Sequence, residues 1–143
     1  AYGPRDDFDW ETSHVIPATI RKVFERDRIV VWGDGSQLRT FVHARDVARG
    51  MMLAMERPPQ PDPINLASDE LVSIKDLVLT VRRLSGRDVP VEFDTSKPAG
   101  QAIRQADLSK AQVLLGYRPQ VSLEEGLAET IDWYRRHILS PSA

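Results

Sequence analysis

The spacing of apolar residues changes along this chain, and each change marks an element. Ile16, Ile20, Val23 and Phe24 recur at helical intervals, so a helix with one buried face is expected from Ser13 to about Arg26. Ser13 stands where a cap belongs, Pro17 falls in the first turn, where its missing N–H costs nothing, and Arg21, Lys22 and Arg26 lie toward another side. Two β-branched and aromatic runs follow, Ile29-Val30-Val31-Trp32 and Thr40-Phe41-Val42, flanking Gly33-Asp34-Gly35. That pattern predicts a hairpin with a glycine-bearing loop. A second helix is expected from about Arg45 to Arg57, filled by Val47, Met51, Met52, Leu53 and Met55. A methionine-rich face reads first as core filler.

The run from Pro58 to Pro63 cannot be helical and is expected to be an extended surface connection that tolerates insertions. Ile64-Asn65-Leu66-Ala67 has the makings of a short strand. Ser73-Ile74-Lys75-Asp76 matches a capping box, opening a helix through Leu77, Val81 and Leu84 to a stop at Gly86. Pro90-Val91-Glu92-Phe93 is expected to be another strand. From Asp94 to Gln105 there is no apolar period, which predicts an irregular loop, and loops held between regular elements commonly carry sites. A short helix from Asp107 or Ser109 to Gly116 is followed by a second capping box, Ser122-Leu123-Glu124-Glu125. That box starts a helix to about His137 with Leu127, Ile131 and Tyr134 on its apolar stripe, and Ser140 to Ala143 reads as a frayed tail. The order α, β, β, α, β, α, β, α, α with short strands points to an α/β or α+β chain with a small, incomplete sheet.

Composition works mainly by exclusion. A length of 143 residues is one domain's worth of protein. Nineteen basic residues against 21 acidic ones provide no global field for nucleic acid or an anionic membrane, so any anion site must be local. The absence of Cys excludes disulfides, thiolate metal sites and a thiol nucleophile within the chain and fits a cytoplasmic protein. No stretch approaches the ~20 apolar residues of a membrane helix. The opening Ala1-Tyr2-Gly3-Pro4 is turn chemistry rather than a Met or a targeting segment, and a fragment is therefore expected.

Candidate chemistry begins around the glycines. Trp32 and Arg39 stand at the two ends of the loop, a flat aromatic face beside a planar cation, suited to gripping a base and a phosphate. The competing reading is a core Trp and a solvated Arg.

Five stretches together resemble one family: YGPRDDFDWETSHVIPATIRK, VVWGDGSQLRTFVHARDVA, INLASDELVSIKDL, FDTSKPAG and SLEEGLAETIDWY. They are similar to the carboxyl-terminal half of the GDP-fucose synthase-like, NADP-dependent epimerases of the extended short-chain dehydrogenase/reductase superfamily. The most discriminating set is Ser13-His14-Val15-Ile16-Pro17 with Trp32 and Arg39 downstream. The resemblance implies an α/β partial domain over residues 1–143, helices with short strands, which is the substrate-binding part of an extended fold without its main Rossmann sheet. It implies His14 as the group that gives or takes protons beside a keto group, in reach of the cofactor held by the other domain. An imidazole titrates near neutral pH and can serve in either direction. The alternative for His14 is a satisfied helix-start histidine, and His43 is read as structural.

The resemblance also places base and phosphate contacts on Lys22, Trp32, Arg39 and, by position in the loop, Arg104. Taken singly, each cation reads first as an ordinary solvated surface charge. Ala99 stands where the family loop often has an Asp, and Ile103 replaces a common basic residue. NADP is the implied cofactor, yet the chain has neither Gly-x-x-Gly-x-x-Gly nor a Tyr with Lys four residues on. The expectation is a nucleotide-diphosphate-sugar-binding portion, inactive alone, whose partners are the missing Rossmann domain and a second copy. The alternatives are part of another sugar-nucleotide 4-epimerase or dehydratase and a non-catalytic interaction module.

Overall fold

Burial follows the helical periodicities. In the computed structural model, which describes residues 1–58 and 61–140, three helices turn apolar stripes inward: α1 (Val15–Glu25), α3 (Ile74–Ser85) and α5 (Leu123–Tyr134). Ile16, Ile20 and Val23 of α1 meet Leu77, Val78 and Val81 of α3 and Leu127, Ile131 and Tyr134 of α5, none more than 2% exposed. Phe8 seals one side, its ring centroid 4.7 Å from that of Tyr134 and 5.8 Å from that of Trp133. The Tyr134 hydroxyl keeps a partner inside this apolar wall by donating to Glu25.

The capping signals act as their chemistry requires. Ser73 Oγ accepts the Asp76 N–H at 2.9 Å, and α3 stops at Gly86 with φ 64°. Ser122 and Glu125 exchange side-chain and backbone bonds at the start of α5, a contribution of about 1 kcal/mol for a cap of this kind. Beyond Tyr134 the chain runs on as a π-helical turn, Arg135–Leu139. At α1 the cap is His14, one residue after the expected Ser13, and its side chain makes no capping bond.

The hairpin is not formed. β1 (Ile29–Trp32) pairs in parallel with β4 (Val91–Asp94), Ile29 opposite Val91 and Trp32 opposite Asp94. β2 (Leu38–Thr40) sits in another sheet, between β3 (Leu71–Ser73), antiparallel to it, and β5 (Ile103–Arg104), parallel. Long-range hydrogen bonds outcompete the local turn. Gly33 N–H donates to Asp94 O at 2.9 Å, while Gly35 O and Gln37 O accept from Lys75 and Ile74 at the start of α3 at 2.9 and 3.0 Å. The loop is thereby led from one sheet to the other. The segment expected to be wholly irregular, Asp94 to Gln105, contains β5.

Two further expectations need correction. Ile64-Asn65-Leu66-Ala67 is not a strand. Its polar groups are met by side-chain bonds instead: Asn65 Nδ2 donates to Asp107 O at 3.1 Å and Tyr117 OH to Ala67 O at 3.1 Å. The methionines of α2 (Ala44–Met55) are not core filler. Met51, Met52 and Met55 are 58%, 65% and 85% exposed, because the helix buries Asp46 and Gly50 instead. A Cβ at Gly50 would stand 2.6 Å from Leu66 Cδ2, so only glycine permits this approach. Alongside lies a second small core, in which Ala111 and Leu115 of α4 (Ser109–Leu115) pack with Tyr117. Of the proline-rich connection, Pro59 and Gln60 lie outside the described residues, and Pro58 and residues 61–63 are neither helix nor strand. Residues 141–143 of the expected frayed tail are also outside them.

Candidate functional site

One cleft of about 850 Å³ lies between α1, β1, β2 and the segment around Pro98 to Ala106. Its size falls in the range of small-molecule sites. His14, Lys22, Trp32, Arg39 and Arg104 all line it. The hairpin expectation had Trp32 and Arg39 facing each other across one turn. They instead reach the cleft from different sheets.

The cations are positioned by backbone register. Arg39 and Arg104 are direct partners on the parallel strands β2 and β5, so both side chains leave the same face of the sheet, on strands about 4.8 Å apart. Such a pair of like charges is unfavourable unless an anion joins it. Arg39 is held in place by its Nη1 donating to Leu38 O and its Nη2 to Gln101 O, each at 2.8 Å. Lys22 lies in the last turn of α1, half-buried. Burial, and then the charge of Arg26, pulls its pKa below the ordinary lysine value. Among the described residues, none of Lys22, Arg39 and Arg104 has a carboxylate within ion-pair distance.

Trp32 is 62% exposed and so does not serve the core. β1 buries Ile29 and Val31 and points Trp32 outward by simple alternation. His14 is exposed; its carbonyl accepts from Ala18 N at 2.9 Å, while its ring has no hydrogen-bond partner among the described residues. His43 differs in kind. It is 2% exposed, its Nδ1 accepts from Arg45 N at 3.3 Å, and Tyr2 packs edge-on at 5.4 Å between ring centroids. Burial lowers its pKa, against the opposing charge of Glu129.

Sequence reasoning missed Gln37. It lines the cleft although only 4% exposed, and neither amide atom has a hydrogen-bond partner among the described residues. A lone Gln between two short strands carries no sequence signal, since its burial is decided by how the chain folds around it.

These residues do not by themselves fit a dinucleotide cofactor. The described helices begin after Ser13-His14, Val42-His43, Ser73, Leu108 and Ser122, and none of these starts is the glycine-rich strand-to-helix turn that cradles a pyrophosphate. Among the described residues no group of three or more His, Asp or Glu is placed to hold a metal ion. No described helix is long and apolar enough to cross a membrane.

Known proteins are similar to this chain in sequence and fold. Residues 1–67 match the NAD dependent epimerase/dehydratase family. The chain is 39% identical over 144 residues to probable GDP-L-fucose synthase 1 of Oryza sativa subsp. japonica, covering 97% of this chain and 44% of that protein. It belongs to the epimerase/dehydratase family. To the dTDP-4-dehydro-6-deoxy-D-allose reductase of a Streptomyces species, this epimerase-family chain is 40% identical over 136 residues, or 95% of its own length and 41% of the relative's. The crystal structure of a GDP-L-fucose synthetase from Naegleria fowleri bound to NADP superposes with a TM-score of 0.85 at 29% identity, covering 93% of this chain and 42% of that one. The chain therefore spans less than half the length of these relatives. Its fold is the helix and short-strand part of an extended short-chain dehydrogenase/reductase.

Proposed function

We propose that residues 1–143 are the carboxyl-terminal, nucleotide-sugar-binding domain of a cytoplasmic NADP-dependent epimerase/reductase of the GDP-4-keto-6-deoxymannose to GDP-fucose type, and that the domain is inactive alone. The observation that carries this reading is the convergence of Lys22, Arg39 and Arg104, all without acidic partners among the described residues, on one cleft beside an exposed Trp32. A diphosphate needs two or three cations at once, and Arg39 and Arg104 supply paired planar forks. Trp32 offers a face for the base. His14, exposed and with no hydrogen-bond partner on its ring among the described residues, holds or delivers the proton exchanged at carbon beside the keto group. The hydride chemistry belongs to NADP, which this chain's residues do not hold, and no step of it is assigned to them.

Calorimetric titration of GDP-, dTDP- and UDP-sugars tests the reading. Micromolar binding of one of them, lost in Arg39→Ala, is expected. No binding by the chain, and none after an amino-terminal cofactor half is joined to it, overturns the reading in favour of a non-catalytic interaction module. A second substrate reading, a dTDP- or UDP-sugar, is favoured by Ala99 and Ile103 and by the 40% identity to the Streptomyces reductase. By itself the chain is expected neither to bind NADP nor to turn over a sugar nucleotide. Saturable quenching of its Trp fluorescence by micromolar NADP overturns that expectation. Self-association through the exposed Met51, Met52 and Met55 is expected in sedimentation at high concentration.

A further inference from the structure

Gln37 lines the proposed site but has no role in the reading above. Its backbone is engaged, since its carbonyl accepts from Ile74 N at 3.0 Å and so anchors the residue to the start of α3. Its side chain is not engaged. Both Oε1 and Nε2 are buried and unpartnered in a residue 4% exposed. A Met or Leu of similar volume would fill this space without stranding a donor and an acceptor. The amide lies against the residue that follows Trp32: a Cβ at Gly33 would stand 2.8 Å from Gln37 Nε2 and 2.8 Å from Ala99 Cβ. Gln37 Nε2 and Ala99 Cβ thus both lie beside Gly33, next to Trp32 in the lining of the cleft.

We propose that Gln37 is a specificity residue at the nucleoside end of the site, its carboxamide pairing with a neutral ligand group that presents one donor and one acceptor together. The inference rests on the nucleotide-sugar reading. Base edges and ribose hydroxyls both present such a pair, and a primary amide is complementary to either. The Ala99–Gln101 wall, which shares the neighbourhood of Gly33 with the Gln37 amide, is tied down by Arg39, whose Nη2 donates to Gln101 O at 2.8 Å. A diphosphate at Arg39 competes for that donor and lets the wall yield where the amide needs its partner.

The test compares wild type with Gln37→Met, and with Gln37→Leu as a second variant, in titrations with GDP, UDP, their 2′-deoxy forms and inorganic pyrophosphate, alongside thermal melts. Whichever nucleotide binds is expected to bind about tenfold more weakly to the variants. Pyrophosphate affinity stays within about twofold, and Tm is equal or higher because two stranded polar atoms are gone. A loss that persists with the 2′-deoxy nucleotide assigns the contact to the base; a loss that disappears assigns it to the ribose. Unchanged nucleotide affinity overturns the inference alone, as does a parallel loss of pyrophosphate binding with a fall in Tm. If wild type binds neither pyrophosphate nor nucleotide, the site reading itself fails and the Gln37 role with it.

Discussion

Two sets of cations in this chain differ in company rather than in type. On α2, α3 and the α5 region, Arg45 pairs with Glu129, Arg49 with Asp46 at 2.8 Å, Arg83 with Glu124 at 3.0 Å and Arg136 with Asp132. In the cleft, Lys22, Arg39 and Arg104 have no such partner among the described residues. Charges of the first kind are consumed by the fold, and removing one registers as lost stability to the extent that its pair is buried. Charges of the second kind add little to the empty fold and stay available to an anion. The contrast tells apart, within one small chain, arginines that hold structure from arginines that wait for a ligand.

Asp46 is where the comparison breaks most visibly. It is 2% exposed and accepts from Arg49 at 2.8 Å, Val121 N at 2.9 Å and Gln120 N at 3.0 Å, tying α2 to the approach to α5. Burial alone would raise its pKa, but these bonds outweigh it and hold the carboxyl below its ordinary value. Asp46→Ala strands two backbone donors and a cation, so a loss of about 3–5 kcal/mol in denaturant-derived stability is expected. Nucleotide affinity per folded molecule should stay the same.

Arg39→Ala should do the reverse. Loss of charge-assisted bonds to a diphosphate, ~1.5–3 kcal/mol, weakens sugar-nucleotide binding roughly tenfold to hundredfold. Stability falls by no more than about 1 kcal/mol, the worth of its bond to Gln101 O. Arg39→Lys recovers only part of the affinity, because an ammonium cannot make two parallel contacts. A fall in Tm with unchanged affinity would move Arg39 into the structural set.

His43 sharpens the contrast through pH. Its folded-state pKa is lowered by burial, so the unfolded chain takes up a proton first, near pH ~6.5. More protons bound in the unfolded state means stability that is fully present above that pH and declines as pH falls below it. His43→Asn keeps a capping side chain, and its Tm should vary less than wild type between pH 7 and pH 5 in paired melts. The smallest effect is expected for Arg83→Ala, whose partner Glu124 is exposed like itself. Such pairs contribute about 0–1 kcal/mol, and neither Tm nor nucleotide affinity should move appreciably.

Helices and their ends were legible because the information is local. Ser73, Ser122 and Gly86 sit within a few residues of the groups they satisfy, and the stripe of Leu127, Ile131 and Tyr134 is a matter of spacing. The five candidate residues were legible through the motifs around them, and they do share a cleft. Strand pairing was not legible, since β1 finds its partner in β4 and β2 lies between β3 and β5, choices settled by backbone bonds from distant segments. Nor was the inward face of α2. Methionine at 51, 52 and 55 has every property of core residues, yet Gly50 lets Leu66 approach closely and turns the methionines out. By itself the sequence determined where helices start and stop, that the chain has no Cys for disulfide or thiolate chemistry, and which family the chain belongs to. Only the tertiary structure decided which cations go unpaired and that Gln37 is sealed without a partner, because neutralisation and burial depend on what folds back from far along the chain.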